Sequence, residues 1–243
     1  MSSKIKVLGV HGSPRKAATA YTLKRALEYA QELADVETEF VELRKMEIHP
    51  CTHCNRCLSA ERVCCPRFDD DMKFFYERLP EIDVLVLATP VYQMAPAAQV
   101  HAFMNRLRPL GKACSTGHWA TKVGVGIAVG GARNGGEETT LDALNRFFIT
   151  EGMCIAGGGV YTYNGGSIWS NDGLAAGAEK DLVGMKTVAV AVRRAVTVSK
   201  LLKAGAEAYP QLDLCHLAGF RDQEDMDWYR SAFFNRSKPD TDL

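Results

Sequence analysis

Five of the eight cysteines in this 243-residue chain crowd into one short stretch, Cys51-Thr-His-Cys54-Asn-Arg-Cys57 followed by the adjacent pair Cys64 and Cys65. Thiolates are soft metal ligands. Three of them at two-residue gaps, with a fourth a few residues on, can converge on one object only if it offers several metal corners. That is the spacing of four-cysteine iron–sulfur ligation, and Pro66 directly after Cys65 matches the Cys-Pro ending of bacterial ferredoxin runs. Structural zinc normally draws on two short Cys/His pairs across a longer loop. No second pair follows here, although His49 and His53 lie near enough in sequence to substitute. Disulfides need an oxidising compartment, and the neighbours Cys64 and Cys65 pair poorly with each other. The run therefore predicts a [4Fe-4S] cluster on Cys51, Cys54, Cys57 and one of Cys65 and Cys64, with structural zinc or redox thiols as the alternatives.

Three other stretches carry residues suited to binding a ligand. Gly12-Ser13-Pro14-Arg15 separates a β-like run from a helical one, and backbone N–H groups at a helix start form an anion site strengthened by the helix dipole. Ser13, Thr19 and Thr22 offer hydroxyls there, and Arg15 a guanidinium fork. The loop lacks both the Gly-Lys-Ser/Thr of a P-loop and the Gly-x-Gly-x-x-Gly of a dinucleotide fold, and a plain Ser-Pro turn is the alternative. Thr89-Pro90-Val91-Tyr92-Gln93-Met94 follows a second buried run. Gly130-Gly131-Ala132-Arg133-Asn134-Gly135-Gly136 follows a third, and its glycines let backbone approach a flat ligand closely. The alternative for that loop is simple flexibility.

Alternating elements must position these stretches. Apolar, β-branched runs at 4–10, 37–43, 82–88, 122–129 and 153–160 predict five strands. Helical periodicity spans 19–34, 97–107, 137–151 and 182–202, with a further helix starting near Met72 behind Asp69, Asp70 and Asp71 as an acidic first turn. Residues 161–173 read as a long loop serving as a lid or subunit contact, and 222–234 as an amphipathic helix with Trp228, Phe233 and Phe234. Strand–helix alternation predicts an α/β, doubly wound, parallel five-stranded sheet. The cysteines form an insertion at 47–72 after strand 2, and 206–243 form a C-terminal helical extension. In such sheets ligands sit beyond the carboxyl ends of the strands, where all four suspicious stretches converge.

The composition is that of an ordinary globular chain, 47% hydrophobic and 24% charged. Its 29 basic and 29 acidic residues cancel, which removes the electrostatic case for nucleic acid or an anionic membrane surface. With no membrane-length apolar run and no targeting signal, a reducing cytoplasm is the expected setting, and there clustered cysteines favour metal over disulfides. Cys114, Cys154 and Cys215 are expected as buried small hydrophobes, and His11 as a hydrogen-bonded structural residue.

Taken together, the motifs resemble those of the iron–sulfur flavoproteins in the flavodoxin-like, NADPH-dependent FMN-reductase superfamily. Gly12-Ser13-Pro14-Arg15-Lys16 resembles the family's phosphate loop, Thr89-Pro90-Val91-Tyr92 its isoalloxazine loop, and Gly130 to Thr140 its third flavin loop, with Glu137 where Gln is common. Where the family usually has Asn-Thr, this chain has Ala17-Ala18-Thr19-Ala20, so the N–H groups of Ala18, Thr19 and Ala20 remain while side-chain contacts to the phosphate are fewer. The resemblance implies FMN contacts from Ser13, Arg15, Ala18, Thr19, Ala20, Thr89, Pro90, Val91, Tyr92, Gln93, Met94, Gly131, Ala132, Arg133, Asn134, Gly135, Gly136 and Glu137. The family's fourth ligand usually lies a few residues before an Asp-Asp pair, and with Asp69 and Asp70 as that pair Cys65 fits better than Cys64. It further implies an oxidoreductase that moves electrons between FMN and the cluster, a ferredoxin-like or nicotinamide donor, and a homodimer or homotetramer.

Overall fold

The computed structural model describes residues 4–59, 63–111, 117–157 and 159–234; Cys114 and the side chains of Phe233 and Phe234 lie outside what is described. Strand β1 (Ile5–His11) runs through the middle of the molecule and is buried at all but one position, as expected of a strand covered on both faces. It pairs in parallel with β2 (Val36–Glu42) on one side and β3 (Val84–Tyr92) on the other. Strand β5 (Val123–Gly130) continues the parallel sheet beyond β3, and the order is β2-β1-β3-β5, followed by the short β6 (Cys154–Ile155).

Helices cover both faces. On one face α1 (Ala18–Gln31) and α7 (Leu182–Ala208) bury Leu23, Leu27, Val188 and Val192 against Val86, Val125 and Ile127. On the other, α3 (Met72–Arg78), α4 (Ala98–Asn105) and α5 (Glu137–Thr150) enclose Leu8, Leu85, Leu87, Phe75, Phe103, Trp119 and Phe148. The 27-residue α7 starts at a side-chain cap, with the Gly184 amide donating to Asp181 Oδ1 at 2.9 Å. The other oxygen of Asp181 accepts from the Trp169 amide at 2.8 Å, so the same carboxylate ties the helix to the sheet. Among the described residues no helix is long and apolar enough to cross a membrane.

The α/β parallel architecture matches the expectation, and three local departures have physical causes. First, residues 89–94 are not an open loop. Strand β3 extends to Tyr92 and turns through Gln93 and Met94, at φ 52° and 59°, into the antiparallel β4 (Ala95–Pro96). Positive φ at both central residues is the turn geometry whose twist matches paired strands. Second, the expected strand at 153–160 is cut short. The two-residue β6 (Cys154–Ile155) pairs with the start of β5, and β7 (Gly166–Trp169), inside the stretch expected to be loop, pairs with its end. Glycines give a strand nothing to pack, so pairing lapses around Gly157 and resumes where Ile168 reaches the core. Third, the acidic run before α3 is more than a first turn: Asp71 makes no side-chain cap bond to that helix and instead accepts from the Glu47 amide at 2.7 Å.

Short helices α2 (Arg56–Ser59), α6 (Leu174–Lys180) and α8 (Leu214–Leu217) link the larger ones, and α9 (Gln223–Phe234) closes the described chain. Trp228 on α9 is exposed, whereas Cys215 within α8 is buried; Cys154 is half-buried rather than a fully enclosed hydrophobe.

Candidate functional site

At the carboxyl ends of β1, β3 and β5 the chain forms a cleft of about 330 Å³. Its walls include Ser13, Arg15, Ala18, Thr19, Pro90, Val91, Tyr92, Gly131, Ala132 and Gly135, so the three loops singled out by sequence meet there. The phosphate-type loop is braced by the Arg15 amide donating to Ser13 Oγ at 3.1 Å. Helix α1 has no side-chain cap, because Ala17 occupies that position. Its first amides therefore lack an acceptor from a cap side chain, and Ala18 and Thr19 line the cleft. An uncapped helix start opening into a polar cleft suits a phosphate. Thr22 does not join it: its hydroxyl donates to the Ala18 carbonyl at 2.9 Å inside the helix.

Other sequence candidates stand beside the cleft rather than on its wall. Buried Thr89 accepts from the Ala97 amide through Oγ1 at 3.0 Å and so holds the β3–β4 hairpin closed. Gln93 and Met94 form the exposed hairpin tip. Arg133 stacks over the Trp169 ring at 4.5 Å, and Asn134 takes a turn conformation at φ 54°. Gly136 starts α5 at φ 108°, packed on Met94; Glu137 is buried with its carboxylate against Gly130, and Ala20 is covered within α1. None of these eight lines the cleft.

A fourth wall was not foreseen: Ser170, Asp172 and Leu174, from the turn after β7. Ser170 Oγ donates to the Gly130 carbonyl at 2.9 Å, and Trp169 Nε1 donates to the Gly131 carbonyl at 3.0 Å, so this turn clamps the glycine loop. A Cβ on Gly131 would lie 2.3 Å from Asp172 Oδ1, which is why that loop position has none. The polar run Ser170-Asn171-Asp172-Gly173 carries turn residues, but only the pairing of β7 with β5 brings them to the glycine loop, and no local signal marks β7 as a strand. His11 likewise departs from expectation. It is fully buried with no hydrogen-bond partner on either ring nitrogen. Burial lowers its pKa to about 4, against the pull of Glu42, so the ring is neutral at neutral pH and packs on Phe40.

The cysteine insertion forms a second, separate pocket. Cys51, Cys54, Cys57 and Cys65 line it together with Phe68, Pro109 and three arginines, Arg67, Arg106 and Arg108; Cys64 is not among its walls. His53 and Asn55 alternate with the cysteines at φ 56° and 58°, the kind of backbone that turns amides inward, and the His53 amide donates to Cys51 Sγ at 3.4 Å. Among the described residues no three cysteine sulfurs lie within 4.8 Å of one another. That is too wide for thiolates on one tetrahedral zinc, roughly 3.8 Å apart for Zn–S bonds of about 2.3 Å. Burial pushes the Cys57 thiol up, with Cys65, Cys51 and Cys54 adding to the rise and Arg108 opposing it. At Cys54 burial acts in the same direction, but bonds from the Arg56 amide and the Thr52 side chain and the charges of Arg67 and Arg56 outweigh it and lower the pKa.

The neck of the insertion is stapled to the end of α4. Arg106 donates to Asp70 at 2.6 and 3.0 Å and to the His49 carbonyl at 2.7 Å, while Asp70 accepts from the His49 amide at 3.1 Å. His49 stacks flat on Phe68 at 5.0 Å, and Arg106 covers the same ring at 4.8 Å. The staple holds residues 47–49 and 70–72 together, so the cysteines sit on a closed loop.

The NADPH-dependent FMN reductase family model matches residues 5–166. An iron–sulfur flavoprotein of Archaeoglobus fulgidus is 38% identical over 189 residues, covering 77% of this chain and 94% of that protein. One from Methanosarcina thermophila is 33% identical over 203 residues, 82% of this chain and 97% of its own. Among solved structures, RosB with a bound 8-demethyl-8-formylriboflavin-5'-phosphate intermediate superposes with a TM-score of 0.61 at 16% identity, over 85% of this chain and 87% of that one. An apo NADH:FMN oxidoreductase gives 0.53 at 18%, over 82% and 89%. At those identities the structures speak to the fold alone, a flavodoxin-like one. The relatives and the family model go further: this chain belongs to the NADPH-dependent FMN reductase family, within its iron–sulfur flavoproteins, and is a flavin-dependent oxidoreductase.

Proposed function

We propose that this chain holds FMN in the strand-end cleft and a [4Fe-4S] cluster in the cysteine pocket, and passes electrons between one-electron and two-electron carriers. What carries the reading is one chain combining an uncapped helix start that opens into the cleft with a separate pocket walled by four thiols and three guanidinium groups. When bound, the flavin supplies paired or single electrons and the cluster single ones. The protein's own tasks are seating and electrostatics. Arg15, Ser13 and the amides of Ala18, Thr19 and Ala20 take the phosphate. The hairpin from Thr89 to Met94 and the loop from Gly131 to Glu137 flank the ring and bring backbone donors to it.

Cys51, Cys54, Cys57 and Cys65 are the proposed ligands, with Arg67, Arg106 and Arg108 offsetting the negative charge of four thiolates. A ferredoxin-like protein or a nicotinamide delivers electrons, and the working form is a homodimer or homotetramer. Exposed Val160, Tyr161 and Tyr163 offer apolar surface for that contact.

Substitution of the paired cysteines tests the ligand set. Purified without oxygen, Cys65→Ser should lose most of its iron and sulfide while keeping its FMN. Cys64→Ser should retain wild-type amounts of all three. Loss of iron in Cys64→Ser with retention in Cys65→Ser would transfer the fourth ligand to the neighbour.

A further inference from the structure

Arg106 holds a donor that its structural role does not use. Its side chain is 2% exposed, and Asp70 engages it end-on across both terminal nitrogens, with the His49 carbonyl taking a second bond from Nη1. A guanidinium carries five N–H donors in a rigid fork, and end-on pairing leaves Nε–H directed off the side. Nε is buried and has no hydrogen-bond partner. An unpaired buried donor is costly, and native proteins seldom leave one without a reason. Arg106 also lines the pocket of Cys51, Cys54, Cys57 and Cys65, with Phe68 closing one face of its fork at 4.8 Å. Of the three arginines on that pocket, Arg67 and Arg108 are half-buried and Arg106 alone is fully buried.

We propose that Arg106 Nε–H donates a hydrogen bond to a sulfur of the metal–sulfur group held in this pocket, and thereby raises that group's reduction potential. The inference rests on the cluster reading above and adds a tuning residue to it. A sulfur acceptor would satisfy the orphaned donor. A charged donor in a dry pocket stabilises the reduced, more negative form more than the oxidised one, and hydrogen bonds to the sulfurs are among the features that set cluster potentials. Asp70 then has two effects: it keeps the arginine charge buried, and by taking the end of the fork it leaves the side donor for the pocket.

Arg106→Lys separates the roles, because lysine keeps a charge for Asp70 and has no Nε–H. On the iron-loaded fraction of anaerobically purified holoprotein, EPR-monitored redox titration should show the one-electron reduction equilibrium shifted about tenfold toward the oxidised form, about 59 mV. An unchanged midpoint at full iron content overturns the Arg106 role and leaves the cluster reading standing. Wild-type protein without iron overturns both. Should Arg106→Lys fail to retain the cluster, wild-type protein grown with ¹⁵N-arginine decides. Pulsed EPR of the reduced cluster should then show a ¹⁵N coupling that persists in Arg67→Lys and Arg108→Lys, and the absence of any such coupling overturns the proposal.

Discussion

Asp70→Asn is expected to destabilise the protein by about 3–5 kcal/mol, because it strands the Arg106 guanidinium as an uncompensated charge in a dry site. The side chains of the pair are 2% and 1% exposed, so water does not take up the lost interaction. With its one oxygen asparagine can still accept from the His49 amide, so the charge pair and the 3.3 Å bond from the Met72 amide are the parts lost. The first structural consequence is opening of the neck: the links of Arg106 to the His49 carbonyl and to Asp70 fasten residues 47–49 and 70–72 to α4. Urea unfolding of the holoprotein reads the stability, and hydrogen exchange over residues 47–72 reads the neck; protection there should fall first, before that of the central strands. A second signature lies in acid. Burial alone would raise the Asp70 carboxyl, but bonds from Arg106 and from the His49 and Met72 amides outweigh it and hold its pKa below the usual 3.8. Its stabilising contribution is therefore complete above that ordinary value and is lost as pH falls through the lower folded one. Asp70→Asn should remove this component of acid unfolding. A change under 1 kcal/mol would mean that the staple is solvated and that the insertion is held by other contacts.

Gly136→Ala should have the next largest effect, and on the flavin side. Gly136 has φ 108°, and an added Cβ would fall 2.8 Å from the Met94 Cα and 2.9 Å from its Cβ. Backbone strain at such a position costs about 1–3 kcal/mol for a residue with a side chain. The clash with Met94 adds to that cost, because the β3–β4 hairpin must move away from the glycine loop. Pro90, Val91 and Tyr92 on one side and Gly131, Ala132 and Gly135 on the other would no longer share one cleft. FMN affinity should fall at least tenfold, equivalent to about 1.4 kcal/mol. Gly152→Ala is the matched control: Gly152 also has positive φ, 75°, but nothing lies within 4 Å of an added Cβ. It should show the strain cost with unchanged flavin binding, measured by fluorescence quenching on reconstitution. Equal flavin loss in both variants would assign the effect to global destabilisation.

The parts of the molecule that could be read in advance are those fixed by local pattern. The runs that became β1, β3 and β5 are apolar almost throughout because both faces of those strands are covered, and such runs are hard to read as anything else. Because each parallel strand enters a loop at its carboxyl end, the meeting of Ser13, Pro90 and Gly131 in one cleft followed from the alternation of elements. What escaped depends on partners distant in sequence or on turns without their usual residues. The hairpin turn uses Gln93 and Met94 at positive φ, where glycine or asparagine would have signalled it. Strand β7 hides in Gly166-Ser-Ile-Trp169 behind a glycine-rich excursion, and with it went Ser170 and Asp172. The partnership of Asp70 with Arg106 spans 36 positions, so the sequence shows Asp70 as part of an acidic helix start and of the Asp-Asp pair after Cys65, with no sign of its ion pair. His11 followed no hydrogen-bonding rule, since burial rather than a partner decides its charge.

The central claim, that one chain carries a flavin and an iron–sulfur cluster in two separate pockets, is tested most directly by iron, acid-labile sulfide and FMN analysis of wild-type protein purified without oxygen. The account predicts one FMN and about four iron and four sulfide per chain. FMN in stoichiometric amount with neither iron nor sulfide, or with zinc in their place, would contradict it.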